Sequence, residues 1–106
     1  MTIAKKLGDA GAAVAAQHAD AVSPGWTSAA LALFNTFVRN HGSKPFLTED
    51  VRAYAERSGL APPPDSRAWG ALAKTMRLKG RIRRIGYGSA RTPRSHAGPR
   101  TIWRAA

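Results

Sequence analysis

The chain has no cysteine among its 106 residues. That excludes a disulfide framework and thiolate metal sites, and it fits a reducing cytoplasm as the expected location. No run comes near the roughly 20 apolar residues that a membrane-spanning helix needs, so no membrane association is expected. Lys5 and Lys6, followed by alanines and by Ala19-Asp20-Ala21, imitate a secretory signal. Asp9, Gln17 and His18 interrupt the would-be apolar region and exclude that reading. Carboxylates are also scarce: Asp9, Asp20, Glu49, Asp50, Glu56 and Asp65 are the only six, and none lies beyond position 65.

What the chain does have is a lopsided positive charge. Residues 1–65 balance six basic side chains against those six acids, whereas residues 66–106 hold eleven Lys or Arg and therefore the whole formal charge of +11. A field of one sign on one part of a small protein calls for an anionic partner, and a polyanion such as nucleic acid leads the candidates. The length suits a single domain with one core, and the hydrophobic share of 43% suits a folded one.

Apolar spacing at Ile3, Leu7, Ala10, Val14 and Ala21 predicts a first, alanine-rich helix that ends before Ser23-Pro24-Gly25. Trp26, Ala30, Leu31, Phe34, Phe37 and Val38 predict a central core helix that closes near Gly42. Phe46 and Leu47 form a short extended piece, and Thr48 is the expected N-cap of the next helix, with Glu49 and Asp50 in its first turn. Gly59 closes that helix, and three prolines at 62–64 keep the chain out of helix. Asp65 or Ser66 then caps a helix running to about Lys79, with a buried stripe of Trp69, Leu72, Ala73 and Met76. Two short strands follow, over residues 81–87 and 101–103, joined by a basic loop at 91–100. The mixed parity of Ile82, Ile85 and Tyr87 predicts a bend or bulge in the first.

This order predicts an α+β fold: a mainly helical winged helix-turn-helix domain over residues 26–106, with a small antiparallel β-hairpin wing. Residues 1–25 contribute an extra N-terminal helix and a break. Trp26, residues 46–52 (FLTEDVR), Arg67-Ala68-Trp69-Gly70, residues 80–86 (GRIRRIG) and Trp103 occur together in this order. In this the chain resembles, over about residues 26–104, small uncharacterised proteins of bacteriophages and prophages. The resemblance implies nucleic-acid work only by association, because such genes often lie among replication and regulation genes.

The expected function is binding of double-stranded DNA in a regulatory or replication-associated role. In a winged helix the third core helix enters the major groove and the wing follows the backbone. The groove face is then Arg67, Gly70, Ala71, Lys74 and Arg77, with the two small residues allowing close approach. Arg81, Arg83 and Arg84 on the strand, and Arg91, Arg94 and Arg100 in the wing, hold phosphates. Thr48 and Lys44 add phosphate contacts near the second core helix. Tyr87 is read as a half-buried strand residue, with base stacking the sharper alternative. RNA is a second partner class, and the rival function is a protein-interaction module that binds a host or replication protein through the same basic face. A homodimer through the first helix is left open. No enzyme and no cofactor are expected: His18, His41 and His96 lack metal-ligand spacing, and the basic region offers no carboxylate to gather metal ions.

Overall fold

The computed structural model describes residues 3–89 and 99–106, and side chains over residues 11–88 and 100–106. Four helices, α1 (Ile3–Val22), α2 (Trp26–His41), α3 (Thr48–Arg57) and α4 (Ala68–Leu78), precede an antiparallel hairpin of β1 (Ile82–Ser89) and β2 (Pro99–Ala105). The fold is therefore α+β, with the expected order of elements.

The core forms where the apolar stripes of α2, α3 and α4 meet the hairpin. Phe34, Val51, Leu72, Met76 and Ile82 are fully buried, and Trp26, Trp69 and Trp103 are buried beside them. Trp26 meets Trp69 edge to face at 5.5 Å, a geometry that the ring quadrupoles favour. The Trp26 indole N–H donates to the Ala61 carbonyl at 2.8 Å, fastening the start of α2 to the proline-containing connection between α3 and α4. Phe46 makes an isolated bridge to Trp103, with paired backbone hydrogen bonds of 2.9 Å in both directions. The hairpin is thereby tied to the turn before α3.

Helix ends follow from particular residues. After α3, the Gly59 amide donates to the Glu56 carbonyl and the Leu60 amide to the Ala55 carbonyl, both at 3.1 Å. After α4, Gly80 and Arg81 donate in the same way to Arg77 and Met76. This double closure requires a left-handed residue at its corner, and Gly59 (φ 101°) and Gly80 (φ 72°) supply it.

The N-terminal ends differ from expectation. Thr48 is the first residue of α3, not its cap. Its hydroxyl accepts the Trp103 indole N–H at 3.0 Å, while the Asp50 carboxylate accepts the Leu47 amide at 2.8 Å and takes over the capping. At α4 neither Asp65 nor Ser66 is the N-cap; Arg67 is. Asp65 instead accepts both the Arg67 amide at 2.9 Å and the Arg67 guanidinium at 2.7 Å.

From residue 11 onward the first helix presents a different stripe, while the side chains of Ile3, Leu7 and Ala10 lie outside the described ones. Val14 is 63% exposed and Ala21 is exposed, while Ala15 and Ala19 enter the core. Small residues win there because α1 lies close against α4: a Cβ built at Gly70 would stand 3.8 Å from the Ala12 methyl. The corner after α1 is held by Asp20, which accepts the Thr27 amide and hydroxyl at 2.8 Å each. The backbone bond, followed by the hydroxyl bond, keeps the Asp20 carboxyl below its ordinary pKa.

The predicted irregularity in β1 is a bulge. Register passes from Arg84 opposite Trp103 to Gly86 opposite Ile102, leaving Ile85 as an extra residue. Directly paired residues share a face. The bulge therefore puts Arg84 and Tyr87 on the same face as Trp103 and Thr101, and Arg83 on the other face with Arg104.

Candidate nucleic-acid interface

Two adjoining hollows of about 300 Å³ each open between α3, α4 and the hairpin. They share Thr48, Gly70 and Thr101 and so form one trough. Arg52, Arg67 and Arg100 line one part, and Lys74, Arg77 and Arg84 the other. Among the lining residues Glu49 is the one carboxylate. Six cations from two helices, the turn before α4 and both strands thus border one depression.

Local structure explains the convergence. Thr48 and Arg52 are one turn apart on α3, so they look in one direction. Gly70, Lys74 and Arg77 recur at helical spacing along one side of α4, beside the buried Trp69, Leu72 and Met76 stripe. The bulge turns Arg84 and Tyr87 toward the same side. Tyr87 is 60% exposed rather than half-buried, and the Arg84 guanidinium donates to its hydroxyl at 2.6 Å while lying 5.3 Å from its ring centroid. An exposed ring with a cation on it offers a π-face together with positive charge.

The first turns of α3 and α4 both border the first hollow, through Thr48 and Glu49 and through Trp69 and Gly70. Helix N-termini carry partial positive charge, although the amides of Ala68, Trp69 and Gly70 already donate to the carbonyls of Asp65, Ser66 and Arg67. Trp69 lines that hollow as well, and its indole N–H is buried with no acceptor among the described residues. Arg67 sits at the edge between the trough and α1. Its side chain and amide hydrogen-bond Asp65, in that order of effect, and hold that carboxyl below its usual range, while Asp65 raises the Arg67 guanidinium. The ion pair is largely exposed, which makes its contribution to stability small.

The sequence-predicted residues divide accordingly. Arg67, Gly70, Lys74, Arg77, Arg84 and Arg100 meet at the trough. Ala71 is half-buried beside it, with its carbonyl accepting the Thr75 hydroxyl. Arg81 borders a separate hollow near the end of α2, with Arg39 and Gly42, and Arg83 is on the opposite face of the hairpin. Lys44 is exposed and lines neither part of the trough. Arg91, Arg94 and His96 lie outside the described residues. Arg52 was missed; its helical spacing from Thr48 was the available signal.

Among the described residues no group of His, Asp and Glu could hold a metal ion, and no helix is long and apolar enough to cross a membrane. No protein-family model, no curated protein and no solved structure matches the chain.

Proposed function

We propose that the chain binds double-stranded DNA in the manner of a winged-helix protein, with α3 and α4 as the helix-turn-helix and the hairpin as the wing. The observation that carries this reading is the trough, where six cations and a single carboxylate border one open depression. Lys74 and Arg77 are the candidates for reading the groove edge from α4. Arg52, Arg67, Arg84 and Arg100 neutralise phosphates. The bacteriophage-like sequence pieces accord with a regulatory or replication role in that setting.

The test is affinity for random duplex, single-stranded DNA and RNA across salt. If the four phosphate-facing arginines each displace a counterion, log K falls against log salt with a slope of about −4 for duplex DNA. An affinity weaker than about millimolar at low salt, or a flat salt dependence, overturns the reading. Preference for RNA over duplex reassigns the partner. Nuclease-resistant capture of one stoichiometric protein favours the protein-interaction alternative.

A further inference from the structure

Every other Trp, Tyr and Phe side chain of the chain is buried or half-buried, whereas Tyr87 is 60% exposed. It stands at the rim of the trough: its partner across the hairpin is Thr101, which borders both hollows. Arg84, itself a trough cation, donates to the Tyr87 hydroxyl at 2.6 Å and lies 5.3 Å from its ring centroid. Resting on the DNA-binding reading above, we propose that Tyr87 stacks on an unpaired base, so that the preferred ligand is duplex DNA bearing a single-stranded tail.

The bulge is what makes the pair. Arg84 and Tyr87 are three positions apart, and regular alternation along a strand would set them on opposite faces. The extra residue, Ile85, cancels that alternation and brings both side chains to the face of Thr101 and Trp103. A bulge interrupts the hydrogen-bonded ladder and re-aims a side chain; this one sets an aromatic face beside a cation that holds phosphate. Phosphate and base belong to one nucleotide, so a phosphate on Arg84 brings its own base within reach of the ring. Inside an uninterrupted duplex, however, each base is covered on both faces by its stacked neighbours. A surface ring meets a bare base only where pairing stops. Such stacking accepts any base, because every base has a π-face, and the adjoining guanidinium adds to the attraction.

The test uses two tailed duplexes with the same number of phosphates, one with bases in its tail and one with an abasic tail. Equal charge cancels the counterion contribution, so the ratio of the two affinities reads the bases alone. The unmodified chain is expected to bind the base-bearing tail about fivefold more tightly or better, the low end for one base stacked on an aromatic side chain. Tyr87→Phe keeps the ring and therefore keeps the ratio. In Tyr87→Ala the ratio falls close to unity.

Equal affinity of the unmodified chain for the two tails overturns the stacking role, as does a ratio that survives in Tyr87→Ala. Either result leaves binding of untailed duplex intact. Failure of the unmodified chain to bind duplex of any kind overturns the underlying reading instead, so the two failures are distinguishable.

Discussion

The two parts of this chain use charge in opposite ways. In residues 1–65 three of the six carboxylates are consumed locally: Asp20 holds the corner to α2, Asp50 caps α3, and Asp65 takes the Arg67 amide and guanidinium. In residues 66–106 there is no carboxylate, and five of the eleven cations, Arg67, Lys74, Arg77, Arg84 and Arg100, converge on the trough instead. Of these three acids, Asp65 also pairs with a trough cation, Arg67. The difference teaches that the trough draws five of its six cations from the carboxylate-free part of the chain, and one, Arg52, from the balanced part.

That comparison can be broken most severely at the residue joining its halves. Trp103 is buried, pairs with Phe46, and donates to Thr48. Trp103→Ala is expected to cost about 3–5 kcal/mol, the usual range for deleting a buried aromatic, and urea denaturation measures it directly.

The next test separates position from charge. Replacing Arg84 and Arg100 with Gln removes two trough cations and should reduce the salt slope by about 1.8, near 0.9 for each phosphate that is no longer neutralised. Replacing Arg81 and Arg83 removes the same charge from outside the trough and should change the slope far less. Equal effects would make the trough irrelevant and leave only net charge. Neither pair should move the thermal midpoint much, because all four side chains are exposed.

A smaller effect concerns the scaffold alone. Gly59→Ala forces a Cβ into φ 101° and should destabilise by about 1–2 kcal/mol, with no effect on the salt slope of the trough.

The smallest is a pH dependence. Asp20 and Asp65 both have carboxyls held below the ordinary value of 3.8 by their hydrogen bonds. The folded state therefore binds protons less readily than the unfolded one. The stability these groups contribute is fully present above about pH 4 and declines as pH falls through their lowered folded values. Asp20→Ala should shallow that acid limb in a denaturation series, and an unchanged limb would remove Asp20 from the scaffold's polar fastenings.

Much of the fold was legible because local signals agreed with tertiary ones. Trp26 opening a helix, glycines at 59 and 80 ending two, and the irregular parity of β1 all came through. The role of Thr48 did not, because its hydroxyl partner is Trp103, 55 positions away, and propensity carries no such information. The described part of the α1 stripe differs from expectation because hydrophobicity favours Val14, whereas close helix contact favours Ala15 and Ala19. Gly70 shows the same ambiguity in the candidate site: small residues permit close approach without saying of what, and here Ala12 approaches. Arg81, Arg83 and Arg84 looked equivalent in sequence, and only strand pairing and the bulge give them different directions.

The bridge between Phe46 and Trp103 also orders events in time. Phe46 has no strand to pair with until synthesis has proceeded more than half the chain further, and closing so long a loop is entropically slow. The helices nearest the bridge can gather first, and the hairpin docks onto them afterwards. A nascent chain therefore acquires its scaffold before its basic face is assembled.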